Sequence, residues 1–345
     1  MKRISAITRH KLRKLLLYAL VTAAVGVVLT LFSGHVRPSV VLGWGLVGAW
    51  TGVLEEFLFG RRFRSLAIPL QFIGKAVGVN LFTIAILLLA LAADVGHTLP
   101  YGTEARRTTG KLFANDDLLR TGLQVFVVTS LAILIVQVEE FLGRRFFMGF
   151  VLGWYDRPRE SERVVLSIDL VSSSALNERL GDMLYFRFLN YTHSLMTDAV
   201  LRHDAEIHKY VGDEVIFTWS MRTGLHNLNC LALYFDIKER LEDHRQEMLR
   251  EYGAVPQFRG GLHGGRVITA RVGHIKRAID LSGDVMNTTS RVESMAKTLK
   301  ADLLITQDLL DRMPDAGLHY KFGDEVEIQV KGGKRKMVVR TVERV

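Results

Sequence analysis

The sequence predicts two parts of different class, an α-helical membrane domain of four helices followed by an α+β domain. Hydrophobic residues make up 48% of the 345 residues, and the excess is concentrated before residue 142. From about residue 163 onward, short β-rich segments alternate with helical patterns. We therefore expect a membrane domain over residues 1–142, a connector over 143–162 and an α+β domain over 163–345.

Four apolar runs define the membrane domain. Each approaches the roughly 20 residues that a helix needs to cross a bilayer. They cover residues 15–32, 40–59, 72–93 and 118–142. Lysines and arginines flank the first, second and fourth runs, so both termini and the α+β domain are expected on the cytoplasmic side. Because the basic residues flank the apolar runs, we attribute the net charge of +9 to contact with a membrane surface. We therefore expect no nucleic-acid partner.

A short repeat at the ends of the second and fourth runs suggests that the membrane domain is a duplicated two-helix hairpin. EEFLFGRRF begins at Glu55–Glu56 and EEFLGRRF begins at Glu139–Glu140. These clusters either carry a signal towards the second domain or mark the membrane interface and pair locally. Lys75, near the start of the third run, is either functional at membrane depth or extends to the inner surface.

The connector contains Pro158, which breaks helices, and it has no heptad pattern of a coiled coil. Beyond it we predict a mixed sheet with helices on one face. The predicted strands cover residues 164–169, 258–264, 267–272, 303–306, 326–330 and 337–342. The predicted helices cover residues 174–203, 228–252 and 284–300, and a hairpin over 206–219 turns at Gly212–Asp213.

Two carboxylates and a run of serines carry the chemistry that the residues themselves suggest. Asp169 ends a buried strand and Asp213 lies on the hairpin turn, so neighbouring strands can bring them together. Two carboxylates beside a phosphate site suit Mg²⁺. The serines that follow Asp169, Ser172, Ser173 and Ser174, lead into a helix whose first amides can bind phosphate. Taken singly, such residues are more often helix caps or turn formers.

Five segments in this order resemble the class III adenylate/guanylate cyclases, specifically bacterial membrane-anchored ones. They are SIDLVSSS, KYVGDE, FRGGLHGGRV, AIDLSGDVMNTTSR and QVKGGK, and the resemblance covers residues 163–342. It implies a ferredoxin-like catalytic fold that converts ATP to 3′,5′-cyclic AMP and pyrophosphate. It also implies two Mg²⁺ or Mn²⁺ ions in each active site, and a location in the bacterial inner membrane.

The resemblance assigns roles to individual residues. The implied metal ligands are Asp169, Leu170 and Asp213. The implied adenine-reading pair is Lys209 and Asp280. Asn287 matches the residue that orients the ribose, and Arg291 matches the arginine that stabilises the transition state. The implied triphosphate contacts are Lys331 (or Lys334 in its place), Arg259 and the three serines. The family usually has a glycine and an aromatic residue where Ser172 and Ser173 stand, which leaves the shape of the phosphate loop open.

Family members build each site from two subunits, with the metal ligands on one and the base-reading residues on the other. This chain carries both sets, which implies a homodimer with two equivalent sites. The expected partners are ATP, a second copy of the chain and the lipid bilayer. A ligand of the membrane domain, and the stimulus it would report, are left open.

Four alternatives compete with this interpretation. A diguanylate cyclase would use the turn Val211–Val215, but Val211 stands where that turn needs its second glycine. A guanylate cyclase carries other residues at Lys209 and Asp280. A catalytically silent receptor or scaffold would not require the complete set of residues, and a small transporter with a regulatory tail would have more buried charges in its spans.

Overall fold

The computed structural model describes residues 6–32, 38–57, 69–81, 117–275, 278–329 and 336–345. The chain divides into two compact units, Met1–Arg144 and Arg145–Val345. Each unit is described by itself.

The first unit is a bundle of helices. Its described helices are α1 (Ala6–Phe32), α2 (Pro38–Phe57), α3 (residues 69–81) and α4 (Asp117–Leu142). Helices α1 and α2 lie in close contact because Gly52 faces α1. A Cβ at that position would lie 3.1 Å from the Cα of Leu15.

Burial in this unit differs from that of a water-soluble bundle, because its apolar core is surrounded by further apolar side chains that are exposed. The buried side chains include an ion pair between Lys75 and Glu55. Asn80 donates to the hydroxyl of Thr129 over 3.2 Å, whereas many exposed side chains are apolar. The exposed apolar residues include Leu16, Leu20, Leu42, Leu46, Leu81, Leu123 and Val127. Such a surface is typical of a protein that contacts lipid or a partner.

One stretch of the described helices, Gly122–Glu139 in α4, is long and apolar enough to cross a bilayer. The prediction of four spans is therefore not confirmed. Most of the third predicted run lies beyond residue 81, outside the described residues. Of the repeated acidic pairs, Glu56 contacts Lys14 at 3.1 Å and Lys11 at 3.5 Å, both on α1.

The second unit is built on a nine-stranded sheet in the described part of the chain. The strand order is β2-β3-β1-β4-β6-β9-β7, with β5 paired to β4 and β8 to β9. The strands are β1 (Arg159–Leu170), β2 (Glu206–Val211), β3 (Glu214–Ser220), β4 (Phe258–Val272), β5 (Ala278–Ser282), β6 (Leu303–Thr306), β7 (Tyr320–Phe322), β8 (Val326–Gln329) and β9 (Lys336–Arg344). The helices are α5 (Arg144–Val151), α6 (Ser173–Leu180), α7 (Asp182–Arg202), α8 (Met221–Leu225), α9 (Asn229–Asp243), α10 (Arg245–Tyr252), α11 (Asp284–Thr298) and α12 (Gln307–Leu310), with short 3₁₀ turns at His226–Leu228 and Pro314–Leu318.

The central strand β1 is buried on both faces. It pairs antiparallel with β3 and with β4, and β4 runs parallel to β6. Leu166 belongs to the main core together with α7 and α9, whereas its neighbour Val165 packs with Val285 of α11. Because successive side chains of a strand point to opposite faces, α11 covers the face opposite to α7 and α9. The expectation that all helices cover one face was wrong for α11.

The predicted elements are present, with three differences in their limits. The helix predicted over 174–203 is two helices, separated at Gly181, which has a φ of +73°. The helix predicted over 228–252 is divided at His244. The two strands predicted over 258–264 and 267–272 form the single strand β4. Gly264 lies within it and makes room for a side chain, because a Cβ at that position would lie 2.8 Å from Leu309.

Two further differences concern the start of β1 and strands that were not predicted. Strand β1 begins at Arg159, inside the predicted connector, after α5 has ended at Val151. Strands β5 and β7 were not predicted, and β5, which carries Asp280, pairs antiparallel with the end of β4.

Candidate active site

The structure brings Asp169 and Asp213 together at one end of the sheet. Asp169 is the penultimate residue of β1, and Asp213 lies in the tight turn between β2 and β3. Gly212 permits this turn with a φ of +66°. Since β1 pairs with β3 at Ile168 and Val215, the turn lies beside the end of β1. Burial, followed by the charge of Asp213, raises the pKa of Asp169 to about 6.

This pair fits a divalent cation. Two carboxylates of like charge face each other, and the Oδ2 atom of Asp213 is buried with no hydrogen-bond donor in the described part of the chain. Leu170, the next residue and the last of β1, is buried. Across the described residues, no group of three or more histidine, cysteine, aspartate or glutamate side chains encloses a common point. A site with two carboxylates suits Mg²⁺ that takes its remaining ligands from phosphate and water.

Two residues near these carboxylates were missed by the sequence analysis. Tyr185 on α7 lies near both carboxylates, and its pKa is raised by burial and by the charges of Asp213 and Asp169. Glu293 on α11 is half-buried, and burial, followed by the charge of Asp169, raises its pKa to about 7. Neither lies in a recognisable motif, because their proximity arises from the packing of α7 and α11 on the sheet.

A second cluster forms around Asp280 on β5. Lys209 Nζ lies 3.0 Å from Oδ1 and 3.1 Å from Oδ2 of Asp280. Burial alone would raise the pKa of Asp280, but the hydrogen bond and the charge of Lys209 lower it below its ordinary value. His208, which the sequence analysis did not single out, also contacts Asp280, with Nε2 3.1 Å from Oδ1. The predicted base-reading pair therefore meets in one place.

Asn287 and Arg291 lie one turn apart on α11. The helix buries Val285, Thr288 and Val292 against the sheet and leaves Asn287 exposed and Arg291 partly exposed. In the described part of the chain, neither side chain is held by a hydrogen bond or an ion pair. Both are therefore available to a ligand or to a second subunit.

Some of the predicted phosphate-binding residues lie in the described part of the chain and others do not. Ser172 has a φ of 59°, in the left-handed region that glycine adopts most easily, and it precedes α6. Ser173 is partly exposed, and Ser174 is exposed. Arg259 lies opposite Asp169 in the pairing of β1 with β4. Lys331 and Lys334 lie outside the described residues.

Comparison with known proteins finds similarity to nucleotide cyclases in each case. Residues 157–343 match the family model described as adenylate and guanylate cyclase catalytic domain. The chain is 37% identical over 207 residues to adenylate cyclase 2 of Rhizobium meliloti (strain 1021), which covers 60% of this chain and 57% of that protein. It is 27% identical over 149 residues to an adenylate cyclase of Anabaena cylindrica, covering 42% of this chain and 30% of that protein.

The fold is likewise similar to a solved structure of a bacterial light-regulated adenylyl cyclase. The TM-score is 0.55 at 20% identity, covering 67% of this chain and 66% of that chain. At this identity the similarity concerns the fold alone. The chain spans less than three fifths of the length of the two curated relatives above.

Proposed function

Because the chain belongs to the adenylate and guanylate cyclase catalytic domain family, we propose that it is an adenylate cyclase that converts ATP to 3′,5′-cyclic AMP and pyrophosphate. One observation supports this most directly. A single chain carries a carboxylate pair suited to a cation, Asp169 with Asp213, and a separate pair suited to adenine, Lys209 with Asp280. In the reaction the ribose 3′-oxygen attacks the α-phosphorus in line and pyrophosphate leaves.

The proposed preference for ATP over GTP follows from the different hydrogen-bond donors and acceptors of adenine and guanine. Adenine presents an amino group that donates a hydrogen bond, whereas guanine presents a carbonyl oxygen at the equivalent position. Asp280 accepts from the adenine amine, and Lys209 donates to a ring nitrogen. With guanine, the carboxylate of Asp280 would face an oxygen, and two acceptors repel each other.

Asp169 and Asp213, with Leu170 beside them, are the residues that would hold the two Mg²⁺ or Mn²⁺ ions. When bound, such ions favour ionisation of the ribose hydroxyl and neutralise charge on the triphosphate. The mutual repulsion of the two carboxylates supports this assignment, since a cation between them removes it.

Asn287 and Arg291 act on the sugar and on the transferred phosphate. Asn287 orients the ribose, and the guanidinium of Arg291 stabilises the negative charge that develops in the transition state. Their placement one turn apart on an exposed helix face supports both roles. Arg259, Ser172–Ser174 and Lys331 contact the triphosphate.

The active enzyme is a homodimer in which one subunit supplies Asp169 and Asp213 and the other supplies the remaining groups. Exposed apolar side chains on the catalytic unit support a second copy as partner. Tyr210 and Val211 are half-exposed on the same hairpin as Asp213, and Met183 and Phe186 are exposed on α7. Large apolar side chains in this position favour burial against another protein surface.

The first unit anchors the enzyme in the bacterial inner membrane with four helices, with both termini and the catalytic unit in the cytoplasm. Its apolar exterior and its buried pair of Lys75 and Glu55 support this proposal. Regulation follows if movement of these helices changes the angle between the catalytic units. Retention in the membrane fraction after alkaline carbonate washing tests the anchor, and release into the wash would contradict it.

The activity is tested with the purified full-length chain, ATP or GTP, and Mg²⁺ or Mn²⁺, with the products separated by chromatography. Cyclic AMP from ATP, with loss of activity in Asp213→Asn, is the expected result. Asp324→Asn, a change of the same charge in an exposed loop, serves as the control. A failure to form cyclic AMP from ATP would contradict the proposal, and cyclic GMP from GTP alone would indicate a guanylate cyclase.

The shared site is tested by co-expressing two inactive variants, Asp213→Asn and Arg291→Ala. Random pairing makes half of the dimers mixed, and each mixed dimer has one intact site of two. Activity should therefore return to about a quarter of that of the wild type. If the mixture stays as inactive as either variant alone, the two sets of residues do not combine across an interface.

A further inference from the structure

Two consecutive residues of β2, His208 and Lys209, both contact Asp280. Successive side chains of a regular strand point to opposite faces. Here the pairing of β2 with β3 is irregular: Ile207 pairs with Phe217 and Lys209 with Ile216, so His208 is an extra, unpaired residue. This is a β-bulge, which changes the direction of a side chain locally. The bulge thus explains how both residues reach the same carboxylate.

The two oxygens of Asp280 are not equivalent. Oδ1 accepts from His208 Nε2 at 3.1 Å, from Lys209 Nζ at 3.0 Å and from the main-chain N–H of Leu281 at 3.0 Å. Oδ2 accepts only from Lys209, at 3.1 Å, among the described residues. Oδ2 is therefore the oxygen with capacity for a further donor, such as an exocyclic amine.

His208 is fixed in a buried position. Its side chain is 2% exposed, compared with 49% for Lys209 and 37% for Asp280. Burial lowers the pKa of His208, and the nearby charges of Lys209 and Arg163 act in the same direction, while Asp280 opposes them. The neutral ring donates from Nε2 to the carboxylate, so the contact with Asp280 selects this tautomer.

We propose that His208 is a positioning residue for base recognition, which holds Asp280 in its accepting orientation when Lys209 turns from Asp280 to the adenine ring. This inference rests on the proposed function. In the unbound arrangement Lys209 and Asp280 bond to each other, so reading a base requires this ion pair to open. The hydrogen bonds from His208 and Leu281 to Oδ1 remain when it opens, and Oδ2 is left for the amine.

The size of the effect follows from the kind of bond. Hydrogen bonds to charged groups are among the stronger ones in proteins, and a partly exposed carboxylate lies at the lower end of their range. Loss of the His208 bond should weaken use of ATP about tenfold. GTP gains nothing from an accepting Asp280, so the preference for ATP over GTP, measured as the ratio of kcat/KM values, should also fall about tenfold.

Two pairs of variants of the full-length chain test the proposal. His208→Leu removes the donor. His208→Gln and His208→Asn are both polar, but only the longer glutamine side chain can place an N–H near the position of Nε2. His203→Leu is the matched control, because His203 bonds through Nε2 to Asp236 at 2.8 Å in another part of the catalytic unit. Thermal unfolding of each variant detects any that fail to fold.

The expected result is a rise of about tenfold in KM for ATP in His208→Leu and His208→Asn, with kcat changed less than threefold. His208→Gln should recover most of the loss, and His203→Leu should keep the wild-type ATP/GTP ratio. Equal ratios in folded wild type, His208→Leu and His208→Asn would overturn the proposal, and so would a glutamine variant that behaves like the asparagine variant.

A binding measurement separates this inference from the proposed function. 3′-Deoxy-ATP and 3′-deoxy-GTP lack the attacking hydroxyl and cannot be cyclised, so their dissociation constants are measurable by calorimetry in any variant. Weaker binding of 3′-deoxy-ATP, but not of 3′-deoxy-GTP, in His208→Leu and His208→Asn supports the positioning role even in a chain that does not turn over. Unchanged binding of both nucleotides overturns it, whatever product the wild type forms.

Discussion

Replacing Asp213 with asparagine should stabilise the metal-free protein while it abolishes activity. At about pH 7.5 the ionised Asp169 lies beside the negative charge of Asp213, and this repulsion disfavours folding. Asparagine has nearly the same shape and removes one of the two charges. The carboxylate pair therefore lowers the stability of the metal-free protein, as expected for two residues proposed to bind a cation.

The magnitude follows from the pKa of Asp169, which rises from 3.8 to about 6. One pKa unit corresponds to about 1.4 kcal/mol, so the whole shift corresponds to about 3 kcal/mol before screening. Burial is the largest cause and persists in the variant, and Asp169 is partly exposed, so solvent screens the remainder. We therefore expect a gain of about 1 kcal/mol, or about 2–4 °C in Tm for a unit of this size.

The gain should depend on pH in a defined direction. Since the pKa of Asp169 is higher in the folded state than in the unfolded state, the native protein loses stability as the pH rises from about 4 to about 6. The advantage of Asp213→Asn is complete above about pH 7 and shrinks towards about pH 5. Added Mg²⁺ should raise the Tm of the wild type and not that of the variant.

The assay is thermal unfolding of the full-length chain in detergent, with and without a chelator, at several pH values. Hydrogen exchange in β1 reports the catalytic unit separately. Asp324→Asn controls for the loss of one negative charge and should leave the Tm unchanged. A lower Tm for Asp213→Asn near pH 7.5, or a gain that does not vary with pH, would refute the reasoning.

Three further predictions concern other parts of the molecule. Arg291→Ala should lower kcat on ATP by about a hundredfold with little change in KM, because the guanidinium acts mainly on transition-state charge. Gly261→Ala should lower the Tm through a loss of about 1–3 kcal/mol, since the added Cβ would lie 2.8 Å from the Cα of Glu293. Lys75→Met should destabilise the first unit by about 3–5 kcal/mol, and adding Glu55→Gln should recover much of the loss.

Each of these predictions has an outcome that contradicts it. A rise in KM at constant kcat would show that Arg291 contributes equally to binding of substrate and transition state. For Gly261, the comparison is Gly317→Ala, where an added Cβ meets no atom within 4 Å; equal effects at both positions would exclude the close approach of α11. If the double variant at Lys75 and Glu55 is no more stable than Lys75→Met alone, their buried pairing is not the cause.

The turn that carries Asp213 could be predicted because its signal is local. A glycine between two β-rich segments defines a hairpin, and the register of that hairpin determines where Lys209 and Asp213 lie. The strand that carries Asp280 could not, since it is only five residues long and is held by pairing with β4. The strands predicted over 258–264 and 267–272 are a single strand, because Gly264 and Gly265 lie within β4 and make room for Leu309 and Val285.

The site residues that were missed share one cause. Tyr185, His208 and Glu293 acquire their surroundings from contacts between elements that are distant in the sequence. His208 additionally depends on a bulge, and a single extra residue in a strand leaves no periodic signal. Sequence motifs identified the residues proposed to touch the nucleotide, while only the packed fold reveals those that surround them.

Helix α11 links the two parts of the proposed active site. One face carries Asn287 and Arg291, which are proposed to act on the nucleotide in a dimer, and another carries Glu293, whose pKa responds to Asp169 of the same chain. Gly261 lets the backbone of α11 approach β4 closely, so the helix cannot shift without changing the surroundings of Glu293. A movement that displaces α11 therefore alters the cation site of its own subunit and the position of Arg291 at the same time. Such a helix offers a physical route by which a change in subunit angle would alter both equivalent sites together.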